Sequence, residues 1–154
     1  MRLFLAITLP LYVLDQITKF LVLANIPTHV TIEVIPGFFN LVQVHNTGAA
    51  FGMMKDNNAF FIGLASVAIV AVAVMARRGC FLDAPSRIGA ALLASGIVGN
   101  LTDRLLHGYV VDFLDVILPW YGHWPAFNVA DSCICVAAIL FLISGFVAPK
   151  PAEK

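Results

Sequence analysis

Residues 59–76 form an unbroken apolar run, AFFIGLASVAIVAVAVMA, without a charged side chain in 18 positions. At about 1.5 Å of rise per residue, a helix of this length nearly matches the ~30 Å hydrocarbon core of a bilayer. The run therefore predicts a membrane-spanning helix. The segments that pack against it must then also be compatible with a lipid environment.

Three further segments fit the same interpretation. The sequence predicts an α-helical integral membrane protein of one domain, 1–154, with four transmembrane helices at about residues 3–26, 59–76, 88–106 and 129–147. Hydrophobic residues make up 60% of the chain and charged residues only 12%, against about 25% in soluble proteins. The net charge is zero, so no overall field favours nucleic acid as a partner.

The segments between the helices differ from one another. Residues 29–58 contain an alternation of β-branched and polar residues, a Pro36-Gly37 turn and the run FFNLVQV, which together predict a small extracytoplasmic antiparallel sheet between helices 1 and 2. Residues 107–127 contain proline and tryptophan and are expected to form an extracytoplasmic connector. The loop at 46–52 is rich in small residues, and at Gly48 it could admit a substrate backbone or simply be the turn of a surface hairpin.

The basic residues are distributed unequally between the two sides that four spans would create. Six of the nine lie on the side of the termini: Arg2, Arg77, Arg78, Arg87, Lys150 and Lys154. The positive-inside rule then predicts cytoplasmic termini, with residues 29–58 and 107–127 outside.

Asp15 and Lys19 interrupt the first apolar segment. They are spaced i, i+4 with the acid first, so they share one helix face and can pair there. Because two separate charges in lipid would be costly, this face is expected to point into the helix bundle. The pair could brace the helices or take a direct part in chemistry.

Two acids stand at the edges of apolar segments near the end of the chain. Asp112 lies within VVDFL, and Asp131 follows FNVA at the start of the fourth helix. Carboxylates that meet at a low-dielectric boundary can share one proton, as in aspartic proteases. Helix capping by Asn128 and Asp131 and ion or proton conduction are the alternatives.

The cysteines and histidines do not form a recognisable ligand pattern. Cys133 and Cys135 point in different directions on a helix, Cys80 is remote, and the four histidines lack the HExxH spacing. We therefore expect neither a metal nor another cofactor.

Five blocks in the chain carry a family resemblance. They are Asp15-Gln16-x-x-Lys19, Asn46-Thr47-Gly48-Ala49-Ala50-Phe51-Gly52, Gly99-Asn100-x-x-Asp103-Arg104, Val110-Val111-Asp112-Phe113 and Phe127-Asn128-x-Ala130-Asp131-Ser132. In this order and among these apolar segments, they resemble the lipoprotein signal peptidases (signal peptidase II) of bacteria.

The resemblance implies an aspartyl endopeptidase of the bacterial inner membrane, acting at its periplasmic face. It would remove signal peptides from prolipoproteins N-terminal to a diacylglyceryl-modified cysteine, contact membrane lipid and bind globomycin-type inhibitors. It assigns Asp112 and Asp131 as the catalytic pair, while Asp115 is expected to be a supporting or surface carboxylate. The residues expected to bind substrate or support the site are Asp15, Lys19, Asn46, Gly48, Asn100, Asp103, Arg104 and Asn128.

A small transporter or proton channel is the alternative from another class. Asp15, Lys19, Asp103 and Arg104 would then form a polar pathway through the membrane. Clustering of the acids near one surface, without a visible half-helix repeat, argues against such a pathway.

Overall fold

The computed structural model describes residues 2–48 and 57–147. Residues 49–52 of the predicted small-residue loop and the tail from 148 lie outside the described residues.

Helices form most of the described chain. They are α1 (Arg2–Asn25), α2 (Asn58–Arg77), α3 (Ala84–His107) and α4 (Val129–Val147). In the described ranges, three helical segments are long and apolar enough to cross a membrane: Leu3–Asn25, Asn58–Arg77 and Val129–Phe146. The predicted count of four transmembrane helices is therefore not confirmed, because α3 carries too much polar sequence to qualify.

The third helix, α3, can carry polar residues because it lies at the centre of the helix bundle. It packs against α1, α2 and α4, and its small residues are buried in these contacts. A Cβ atom on Gly96 would lie 2.4 Å from the carbonyl oxygen of Ala130, and one on Gly99 would lie 2.6 Å from Asp15 Oδ2. The small residues thus allow the helices to approach closely.

The start of α3 differs from its predicted position at residue 88. The helix begins at Ala84, because the side chain of Asp83 accepts a hydrogen bond from the Ser86 N–H at 2.7 Å and caps the first turn. Pro85 lies in that first turn, where its missing N–H costs nothing. The helix therefore begins four residues before its predicted start, and Pro85 is part of it.

Four strands form one antiparallel sheet in the order β1-β2-β3-β4. They are β1 (Ile32–Ile35), β2 (Phe39–Asn46), β3 (Val110–Leu118) and β4 (Gly122–His123). The sheet is therefore not confined to the segment between the first two helices. The stretch predicted as a connector at 107–127 supplies half of the strands, and β3 pairs with β2 along most of its length.

The sheet packs against one end of the helices. Val22 and Ile26, at the end of α1, form a buried apolar cluster with Val111 and Phe113 of β3. Burial of these side chains holds the start of β3 against the bundle. Asp112 lies between two members of this cluster and is consequently held at the junction of sheet and helices.

Candidate active site

Asp112 and Asp131 line the same cleft. Asp112 comes from β3 and Asp131 from the first turn of α4, and the cleft has a volume of about 490 Å³. Its remaining lining is mostly apolar and includes Trp124, Pro125, Ala126, Phe127, Ile134 and Val136. The two predicted acids are thus brought together in a cavity that could accept an apolar chain.

Asn128 connects the two acids. Its side-chain Nδ2 donates to Asp112 Oδ1 at 2.8 Å, and its backbone N–H donates to Asp131 Oδ2 at 3.2 Å. Its Oδ1 in turn accepts from the Asp131 N–H at 2.9 Å, which completes a reciprocal cap at the start of α4. Asn128 therefore caps the start of α4 and also bridges the two acids.

Two further asparagines hold the outer oxygens of the acids. Asn46, at the end of β2, donates to Asp112 Oδ2 at 2.9 Å, and Asn100 of α3 donates to Asp131 Oδ1 at 2.7 Å. Every carboxylate oxygen of the pair therefore has an N–H donor. Donors aimed at the oxygens fix the side-chain orientation of both acids.

A buried ion cluster holds the side chain of Asn100 in place. Lys19 Nζ lies 2.9 Å from both Asp15 Oδ2 and Asp103 Oδ2, and it donates to Asn100 Oδ1 at 3.1 Å. Lys19, Asp15 and Asp103 are each no more than 2% exposed. Buried charges of this kind are tolerated only when they are paired and hydrogen-bonded, as they are here.

The same ion cluster ties the helices to the segments that carry the acids. Asp15 Oδ1 accepts from the backbone N–H of Ala130 at 2.9 Å, and Asp103 Oδ2 accepts from that of Val111 at 3.0 Å. Ala130 and Val111 are the immediate chain neighbours of Asp131 and Asp112. The cluster therefore fixes the backbone at both acids, although its side chains do not line the cleft.

The environment of Asp112 changes its acidity. Burial, and after it the nearby charge of Asp131, raise the pKa of this carboxyl to about 7. Hydrogen bonds from Asn46 and Asn128 and the charge of Lys19 act in the opposite direction. A carboxyl group with this pKa can hold or release a proton near neutral pH.

Gly48 and Arg104 meet at the edge of the site. A guanidinium Nη2 of Arg104 donates to the carbonyl oxygen of Gly48 at 3.1 Å, and the guanidinium carbon lies 4.9 Å from the ring centroid of Phe61. Asn58, at the start of α2, donates to the Arg104 carbonyl at 3.1 Å. Arg104 therefore connects the chain on both sides of residues 49–56.

Asp115 lies outside the paired acids. It is only 6% exposed, so the alternative of a surface carboxylate is wrong. Asn40 and His123 are its partners, both through side-chain nitrogens. The carboxylate is buried because β2 and β4 cover it from either side of β3.

Two contributors to the site escaped the sequence analysis. Gln16 Nε2 donates to Asp15 Oδ2 at 3.0 Å and to Asp103 Oδ1 at 3.3 Å. Its position beside Asp15 in the first motif was the available signal. The apolar wall around Trp124 had no signal of this kind, because the sequence indicated only a connector containing proline and tryptophan there.

The described residues contain no cluster of potential metal ligands. Within residues 2–48 and 57–147, the structure contains no group of three or more histidine, cysteine, aspartate or glutamate residues able to hold an ion. Independence from a metal remains a prediction.

Apolar helices beside a mostly apolar cleft that holds two carboxylates define a membrane-embedded enzyme. Two solved structures of bacterial membrane enzymes, determined by the in meso method at 2.3 and 1.9 Å resolution, have the same fold. The first has a TM-score of 0.90 at 28% sequence identity and covers 100% of this chain and 94% of its own. The second has a TM-score of 0.86 at 29% identity, covering 97% and 96%.

The sequence comparisons specify the class further. The family model described as signal peptidase (SPase) II matches residues 7–147, and the chain belongs to this family. A lipoprotein signal peptidase of Symbiobacterium thermophilum is 43% identical over 132 residues, which is 84% of this chain and 86% of the relative. One from Vibrio cholerae is 46% identical over 127 residues, covering 80% and 73%.

Proposed function

We propose that this protein is an aspartyl endopeptidase of the bacterial inner membrane that removes the signal peptide from prolipoproteins. Cleavage would occur N-terminal to the diacylglyceryl-modified cysteine, with Asp112 and Asp131 as the catalytic pair. Membership of the signal peptidase II family supports the substrate. The observation that carries the catalytic assignment is the bridge by Asn128, which holds both carboxylates at one cleft.

The mechanism uses one proton shared by the two acids. The ionised carboxylate takes a proton from a water molecule as the water attacks the peptide carbonyl, and the protonated carboxyl donates to the developing oxyanion. When the tetrahedral intermediate collapses, the carbon–nitrogen bond breaks, the amine leaves with a proton from the pair, and one hydroxyl of the intermediate returns its proton to the pair as the new carboxyl group forms. The raised pKa of Asp112, to about 7, supports a protonated carboxyl at neutral pH.

The apolar lining of the cleft supports a substrate that comes from lipid. A signal peptide is an apolar helix in the bilayer, and a diacylglyceryl group would anchor the scissile bond at the membrane surface. The cleft meets this requirement with an apolar wall directly beside the two acids. Membrane lipid and globomycin-type inhibitors are further ligands of this proposal.

We further propose that α3 is a fourth membrane span with its polar face turned into the bundle. Its 24 residues correspond to about 36 Å of helix, enough to cross a bilayer. Burial of Asn100 and Asp103 against α1 and α4 would shield its polar groups from lipid. Four spans and the six-to-three division of basic residues support cytoplasmic termini and a periplasmic active site.

The arrangement of the charges favours peptide hydrolysis over transport. Asp15, Lys19 and Asp103 form one closed cluster rather than a series of separated sites along the helices. A transport pathway would need polar groups distributed across the membrane thickness.

Cleavage by the purified protein in detergent or nanodiscs tests the proposal. A diacylated prolipoprotein should lose its signal peptide, whereas the same precursor without the lipid should be cut much more slowly. Asp112→Asn and Asp131→Asn should each nearly abolish cleavage, and the double variant should be little worse than either. Activity should survive a strong chelator and replacement of the three cysteines. Near-full cleavage by either single variant would refute the aspartyl mechanism.

A further inference from the structure

Asp115, His123 and Asn40 form a second polar group in the sheet, separate from the paired acids. The carboxylate of Asp115 is 6% exposed. Asn40 Nδ2 donates to Asp115 Oδ2 at 2.8 Å, and His123 Nδ1 lies 2.9 Å from both oxygens of the same carboxylate. With a carboxylate as the acceptor, the imidazole N–H is the donor.

These contacts join three strands. Asn40 of β2 lies directly opposite Asp115 of β3 in the sheet register, and His123 belongs to β4. The β3–β4 pairing is short, with only two residue pairs. The side-chain contact of His123 with Asp115 therefore adds to the few backbone hydrogen bonds that attach β4 to β3.

The chain that follows His123 forms one wall of the cleft. Trp124, Pro125, Ala126 and Phe127 line the cavity beside the paired acids. The Trp124 N–H donates to the Val116 carbonyl at 2.8 Å, and Phe127 pairs with Leu114. His123 directly precedes this wall and adds a side-chain attachment to β3, through Asp115, to those backbone contacts.

We infer that Asp115 and His123 are positioning residues that hold the Trp124–Phe127 wall in place for substrate binding. This inference rests on the proposed peptidase function and adds residues to it. Neither side chain lines the cleft, so both act through the wall. Their loss should weaken binding of the substrate chain and leave proton transfer at Asp112 and Asp131 largely intact.

Kinetics of the full-length protein test the inference. His123→Ala removes the donor at a ring that is 66% exposed, so the helix bundle should stay folded. It should raise KM for a diacylated prolipoprotein about tenfold while kcat changes by less than about twofold. His123→Asn should restore KM, because the asparagine Nδ2 can replace the imidazole Nδ1 as donor. His29→Ala is the matched control, since the side chain of this exposed histidine makes no hydrogen bond, ion pair or ring contact with the described residues.

Tryptophan fluorescence gives an independent readout of the wall. The chain has two tryptophans, so in a Trp120→Phe background the emission reports on Trp124 alone. His123→Ala should increase acrylamide quenching of Trp124, and His123→Asn should reverse the increase. Asn40→Ala removes the other donor to Asp115 and should also increase the quenching of Trp124, so it tests the inference if His123→Ala fails to fold.

Unchanged KM and unchanged quenching in His123→Ala would overturn the inference, as would a loss of kcat as large as that of Asp112→Asn. Failure of the wild-type protein to cut any prolipoprotein would instead refute the proposed function. The quenching experiment would still test the attachment of the wall in that case.

Discussion

Asn128 donates its side-chain amide to Asp112 across 2.8 Å from a position one residue before α4 begins. The residue is completely buried, and it is also bonded to Asp131 through its backbone and through its side-chain oxygen. A single side chain thus sets the relative orientation of two acids from different elements. The relative orientation of the two acids therefore depends on Asn128 and not on either acid alone.

Asn128→Ala should lower kcat by about ten- to a hundredfold, because a lost hydrogen bond to a charged group costs about 1.5–3 kcal/mol. KM should change little, since Asn128 is not part of the apolar cleft lining. Steady-state cleavage of a diacylated prolipoprotein measures both constants. Asn25→Ala, at an exposed asparagine whose side chain bonds the Leu21 carbonyl of its own helix, should leave both unchanged. Equal activity of the two variants would contradict the bridging role.

The raised pKa of Asp112 predicts a falling activity above neutral pH. A carboxyl group with a pKa of about 7 loses its proton as the pH rises through that value, and the pair then lacks its acid. The kcat of the wild-type protein should therefore decline on the alkaline side with an apparent pKa near 7, a value that belongs to the pair as a unit. A pH profile that is flat between 6 and 9 would contradict the assignment.

Stability should follow the same titration with a definite sign. The pKa of Asp112 rises on folding from its ordinary value of 3.8 to about 7, so between these values the folded state binds more protons than the unfolded state. Stability consequently falls as the pH rises across this window, by up to a few kcal/mol. Thermal unfolding in a nonionic detergent at pH 5 and pH 8 should show this loss in the wild type and a smaller one in Asp112→Asn.

The contact between α3 and α4 predicts a strong effect at Gly96. A Cβ atom there would lie 2.4 Å from the backbone oxygen of Ala130, so Gly96→Ala must separate the helices. Overpacking of this kind costs about 1–3 kcal/mol and would shift Asp131, one residue beyond Ala130. Gly63→Ala is the matched control, because nothing lies within 4 Å of its added Cβ and alanine favours helix. Thermal unfolding should distinguish them, with only Gly96→Ala destabilised.

Gly48→Val should impair cleavage without unfolding the helices. Gly48 is buried, and its carbonyl accepts from Arg104 beside the site. A branched side chain would disturb this contact, and turnover should fall while circular dichroism keeps its helical signal. Normal turnover by Gly48→Val would mean that the loop is only a spacer.

The proposed topology is tested by thiol labelling in intact spheroplasts. In a Cys135→Ser background, a cysteine at the exposed Thr31 should react with an impermeant reagent, because residues 29–58 are expected to be periplasmic. The native Cys80 is exposed in the loop between α2 and α3 and should stay unlabelled until the membrane is opened. The reverse pattern would invert the proposed orientation.

Much of this protein could be predicted from short stretches of its sequence. Apolar length indicated the helices, and the spacing of Asp15 and Lys19 indicated a face turned inward, where the two side chains do pair. The motifs around Asp112 and Asp131 indicated two acids at one site. Such features are local, because they depend on residue types within a few helical turns.

The tertiary structure alone decided how these parts meet. The partner strand of β3 lies about 70 residues earlier in the chain, so the residues at 110–118 looked like a connector, and the burial of Asp115 depended on the same pairing. The double role of Asn128 and the support of Asn100 by Lys19 required α1, α3 and α4 to converge. Which residues become hydrogen-bond partners across a long stretch of sequence depends on how the chain packs. The residue pattern around one partner does not reveal the other.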